Sequence, residues 1–177
     1  MSLVKFKRFV YLAVFCVLSL AALLCQSTGF ATFKIGNAVP QLALMFSCMA
    51  GFYFGGYHGV TFGLVFGALT DVYSSTICYN TVVFAIMGFV SGMLITYLFN
   101  RNLAAISVLT AASAIIYFFF KWLIFYALTD MAAGYIFLHY MLSSALLTVI
   151  CGLVIYFALN PFYKKLPVQQ KSEQYDF

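Results

Sequence analysis

The chain has 177 residues, of which 65% are hydrophobic and 7% charged. A soluble domain carries about a quarter charged residues, so a largely water-facing surface is excluded, in line with a mean hydropathy of +1.03. The net charge of +5 is clustered at the two ends of the chain, which argues against a nucleic-acid surface and for anchoring at a lipid interface.

A membrane-crossing helix needs about 20 apolar residues for a hydrocarbon core of about 30 Å. Lys5, Lys7 and Arg8 precede the first such run, residues 9–25. This basic flank resembles the start of a signal peptide, with Ser27 and Gly29 as a weak cleavage site. A lipoprotein signal is excluded because Leu24 stands before Cys25, where a small residue is required. The run is long for a signal core, so an uncleaved first span is expected.

Between Lys34 and Asp71 there are 36 residues without a charge. One helix of that length would measure about 54 Å, too long for one crossing. Two spans at 38–54 and 59–72 are therefore expected, with a turn at Gly55, Gly56, Tyr57, His58 and Gly59. Both are short, and a re-entrant hairpin is the alternative. After a polar loop at 73–80 come a fourth span at 81–99, a break at Asn100, Arg101 and Asn102, a fifth span at 103–128, a turn at 129–134, and a sixth span at 135–159 ended by Asn160 and Pro161. The expected fold is an all-α membrane protein of about six transmembrane helices, one domain over residues 1–160, with a polar cytoplasmic tail at 161–177.

The cations test this topology. With both termini inside, the cytoplasmic set is Lys5, Lys7, Arg8, Arg101, Lys164, Lys165 and Lys171, against Lys34 outside. That imbalance follows the positive-inside rule, and an odd number of spans would export one cluster.

The most specific pattern is a glycine ladder: Gly51, Gly55, Gly59, Gly63 and Gly67 recur at four-residue steps, with Asp71 at the next step. Gly88 and Gly92 repeat the spacing on the fourth span. Small residues so spaced let helix backbones approach closely in lipid. Two readings stand side by side: packing within the chain, or a groove for a partner's helix. Asp71 and Lys121 are the ionisable groups nearest the membrane interior and are expected at similar depth. Either they pair, directly or through water, or Asp71 is an interfacial acid and Lys121 a snorkelling anchor.

His58 and His139 read as interfacial residues without a second ligand. The five cysteines, Cys16, Cys25, Cys48, Cys78 and Cys151, have neither disulfide nor zinc spacing. Nothing resembles a catalytic triad, a phosphate loop or paired carboxylates, so no enzymatic activity, metal or cofactor is expected.

The run from Gly59 to Gly92 resembles the rod-shape-determining protein D family, MreD. The residues that carry the likeness are Gly59, Gly63, Gly67, Asp71, Asn80, Gly88, Phe89 and Gly92, with Tyr79 standing where the family often has glycine. The resemblance implies a non-enzymatic scaffold of the bacterial cell-wall elongation machinery in the inner membrane, working with MreC, MreB and wall synthases. It also implies a compact bundle similar to the S-component of energy-coupling-factor vitamin transporters, and such a transporter is the alternative function. Against it, the small-residue stripe on the first span is broken at Val17, between Ala13 and Ala21, and the expected outer loops are short and sparsely polar.

Overall fold

The computed structural model describes residues 3–27, 38–74, 78–97, 103–126 and 133–163, and these form six helices. They are α1 (Leu3–Ser27), α2 (Leu42–Phe54), α3 (Gly56–Ser74), α4 (Tyr79–Tyr97) and α5 (Leu103–Phe125). The last helix, α6, runs without a break through Ala133–Ile136, a π-helical stretch Phe137–Leu142, and Ser143–Tyr163. Tyr79–Tyr97, Leu103–Phe125 and Phe137–Asn160 are long and apolar enough to cross a membrane, whereas Phe9–Leu24 and α2 are shorter apolar helices.

α2 lies at the centre. It touches all five other helices, and every residue from Ala43 to Phe54 is buried. Its sequence has no charge and no polar stripe, and a helix apolar on all sides belongs in an interior. α1 docks on it through Phe15, which is fully buried and meets the ring edges of Phe46, Phe54 and Phe62 at centroid distances of 5.6, 5.6 and 5.3 Å. On another side, Tyr156 of α6 stacks on Tyr53 at 6.4 Å. The outward faces carry Val65, Val108, Val154 and Phe157, all exposed. In lipid such residues need no polar cover.

The start of α2 corrects the expected span boundary. Residues 38–41 are not helical, and the helix begins at Leu42. Pro40 explains this, because proline disfavours helix in the residue before it and lacks an N–H itself. Three consecutive backbone donors around Pro40 are satisfied by side chains. Val39 N–H donates to Ser144 Oγ at 3.2 Å, Gln41 N–H to Thr148 Oγ1 at 3.1 Å, and Leu42 N–H to Gln26 Oε1 at 3.1 Å. Irregular backbone among membrane helices requires such partners. At about 20 Å, thirteen helical residues fall short of a full crossing.

Four other boundaries differ. The break between α2 and α3 is Gly55 alone, at φ 100°, and Gly56, Tyr57, His58 and Gly59 are already helical. Only glycine adopts that φ without strain, so a single residue reverses the chain. The loop expected at 73–80 is shorter, since α3 runs to Ser74 and α4 starts at Tyr79. α6 continues past Asn160 and Pro161 to Tyr163, although Pro161 has no N–H to donate to the carbonyl one turn back. α5, by contrast, ends at Phe125 rather than at residue 128. Arg101, Lys164, Lys165 and Lys171 lie outside the described residues, as do Lys34 and the tail beyond residue 163.

Candidate functional site

The glycine ladder builds a seam between α3 and α4, which run antiparallel. Gly59, Gly63 and Gly67 are buried on one side of α3. A Cβ at Gly63 would lie 2.5 Å from the carbonyl carbon of Phe84 and 2.6 Å from Ala85 Cα, and one at Gly67 would strike Thr81 Cα. Gly59 and Gly88 face each other, so that a Cβ on either would strike the other's carbonyl oxygen. A Cβ at Gly92 would strike the backbone of Gly56, and one at Gly51 the carbonyl of Gly88. All these obstacles are backbone atoms, which no rotamer change removes. The faces of Gly59, Gly63, Gly67, Gly88 and Gly92 are therefore occupied by helices of this chain. Close approach brings dispersion and polar contacts that lipid cannot supply.

Two serines complete the junction with α2. Ser47 Oγ donates to Phe84 O at 2.8 Å, with Gly59 O at 3.3 Å. Ser91 Oγ lies 3.0 Å from Cys48 O and 2.8 Å from Gly88 O. Only small residues admit these hydroxyls to neighbouring backbones.

At one end of the seam stands Asp71, buried, in the last turn of α3. A carboxylate there faces the negative end of its own helix dipole. α4 compensates. Asp71 Oδ1 accepts the Asn80 N–H at 3.0 Å and Asn80 Nδ2 at 2.9 Å. Oδ2 accepts the Thr81 N–H at 2.8 Å and Thr81 Oγ1 at 2.6 Å. Asp71 thus serves α4 as a remote N-cap. Cys78, just before α4, takes the left-handed conformation at φ 53°, which costs a non-glycine residue about 1–2 kcal/mol. The special backbone position is therefore Cys78, and Tyr79 is already helical.

The cluster extends to α5. Tyr117 Oη donates to Asn80 Oδ1 at 2.8 Å, and Tyr79 Oη donates to Tyr117 O at 2.7 Å. Asn80 Nδ2 also reaches Ser74 Oγ at 3.2 Å. Lys121, half-buried one turn beyond Tyr117, places Nζ 5.8 Å from the Tyr117 ring centroid. Asp71 and Lys121 therefore belong to one chain of contacts, Asp71–Asn80–Tyr117–Lys121. This arrangement ties α3, α4 and α5 together at one end. It sets no nucleophile beside a base, and among the described residues no three His, Cys, Asp or Glu groups gather for a metal.

Lys5, Lys7 and Arg8 fall in the first turns of α1. His58 lies in α3 with its ring 6.0 Å from Phe54, and His139 sits in the π-helical stretch, 4.4 Å from the Tyr135 ring. The sequence alone does not single out Tyr117, Thr81, or the set Gln26, Gln41, Ser144 and Thr148. Pro40 was the one available signal for the last group; nothing local marks Tyr117.

A family model described as rod shape-determining protein MreD matches residues 7–166. No curated protein and no solved structure matches the chain.

Proposed function

Because the chain belongs to the family of rod shape-determining proteins MreD, a multi-pass bacterial membrane protein of the cell-elongation machinery without enzymatic activity, we propose that it acts as a membrane scaffold of that machinery. The observation that carries the reading is what the family's motif does here. Gly59, Gly63, Gly67, Asp71, Asn80, Gly88 and Gly92 interlock into one rigid α3/α4 hairpin capped by a carboxylate, an arrangement that holds shape rather than performs chemistry. With the glycine faces filled from within, MreC, MreB and wall synthases would meet the outward faces of the bundle, not the stripe.

Both termini on the cytoplasmic side of the inner membrane, after six crossings, is the topology we favour. Its support is the cluster Lys5, Lys7 and Arg8 at one end of the chain and Lys164 and Lys165 at the other. The likeness to an energy-coupling-factor S-component rests on helix number alone.

The test is complementation. In a rod-shaped bacterium lacking its own MreD, expression of this chain is expected to restore rods, and Gly63→Leu is expected to fail. Spherical cells despite normal insertion of the wild-type chain, or purification with a bound vitamin, would overturn the scaffold role. Reporter fusions at each terminus are expected to be active only on the cytoplasmic side.

A further inference from the structure

α4 meets α5 quite differently from the way it meets α3. Where α3 and α4 touch backbone to backbone, α4 and α5 touch through rings: Phe84 and Tyr79 lie 5.6 and 5.7 Å from Tyr117, and Tyr79 lies 5.7 Å from Phe125. Beside these contacts an apolar groove of about 740 Å³ opens between the two helices, reaching from Tyr79 to Met87 on α4 and from Ile116 to Phe125 on α5. Its walls, among them Ile86 and Phe120, are exposed at the outer edge of the groove.

Such a space in a bilayer is not filled by water. Its walls are almost wholly apolar and cannot give a water the two to four partners it needs: at the end of the groove the Cys78 thiol is only a weak partner, and the hydroxyl of Tyr79 is already bonded to Tyr117 O. An empty gap would forfeit dispersion contacts along both walls. Hydrocarbon must fill it, supplied either by a lipid chain or by another protein's helix.

Two observations choose between them. From Tyr79 to Met87 is eight helical steps and from Ile116 to Phe125 nine, which makes the groove roughly 12–14 Å long at 1.5 Å per residue. That is about one leaflet of a core about 30 Å thick, whereas a partner helix needs a track across both. The walls also carry Val82, Val83, Ile86, Ile116, Phe120 and Ile124, with none of the small residues that bring membrane helices into contact. We propose that this groove seats one acyl chain of a phospholipid from the leaflet on the Asp71 side, as an integral filling of the α4/α5 interface. The chain enters beside Tyr79 and Phe125 and ends near Met87 and Ile116. The proposal does not depend on the shape-determining role.

Photolabelling tests it. The full chain is reconstituted in phosphatidylcholine vesicles doped with phosphatidylcholine carrying a diazirine near the methyl end of one acyl chain, and labelled residues are mapped by mass spectrometry. Label is expected at Ile86, Met87 and Ile116, several-fold above Val65, a lipid-facing residue of α3 at a similar distance from the same end. Moving the diazirine toward the ester is expected to move the label to Val82 and Ile124. Ile86→Trp, which fills the groove, is expected to bring groove labelling down to the level of Val65. Equal labelling of Ile116 and Val65 in the wild-type protein would overturn the proposal without reliance on any variant. Cross-links in cells from Ile86→Cys to another protein's helix would overturn it in favour of a protein occupant.

Discussion

Tyr117 on α5 holds Asn80 on α4 through a 2.8 Å hydrogen bond, and the same Asn80 side chain holds Asp71 on α3 at 2.9 Å. One asparagine, using its acceptor in one direction and its donor in the other, thus connects three helices. Buried groups linked in this way do not contribute independently.

Tyr117→Phe removes the hydroxyl and leaves Asn80 Oδ1 without that donor. The expected loss is about 1–2 kcal/mol, measured by unfolding in detergent or bicelles. Combined with Asn80→Ala it should cost less than the sum of the two single changes, with a coupling of about 0.5–3 kcal/mol. Additive effects would show that the two residues act separately.

Asp71→Asn keeps the size of the side chain but replaces one acceptor oxygen with a donor. Whichever way the amide turns, it cannot accept from both the Asn80 and the Thr81 N–H groups. A buried donor is left unpaired, at a cost of about 1–3 kcal/mol. Lower thermal stability is expected, with earlier exchange of the first amides of α4. Unchanged protection of Thr81 would refute the capping role.

Gly63→Ala and Gly67→Ala should already destabilise, because each added methyl would press on the backbone of α4; overpacking of this kind costs about 1–3 kcal/mol. Ser47→Ala and Ser91→Ala test the other component of the seam. Interhelical hydrogen bonds in membranes average about 0.6 kcal/mol, so these changes should be milder. If the serine variants unfold more readily than the glycine variants, polar bonding rather than close approach dominates the seam.

A charge-swap series tests the coupling of Asp71 with Lys121. Asp71→Lys and Lys121→Asp are each expected to lower folded yield. The double swap should rescue little, because in the swapped protein nothing accepts the N–H groups of Asn80 and Thr81. Full rescue would mean that an ion pair, not the cap, is the dominant interaction of Asp71.

The amino-acid sequence by itself determined that the chain lives in lipid, where its helices run to within a few residues, and that glycines at four-residue steps bring helices together. These are local or compositional properties: scarcity of charge, lengths of apolar runs, and Cβ atoms missing at regular intervals. Only the tertiary structure decided which helix the stripe meets, that α2 is the buried centre, and that Asp71 caps α4. Periodicity assigns a residue to a face but names no partner for that face, and in a uniformly apolar chain every face looks alike. Tyr117 illustrates the limit. Nothing within its own helix sets it apart from the neighbouring phenylalanines, and its role exists only because Asn80, 37 residues earlier, lies within hydrogen-bond reach.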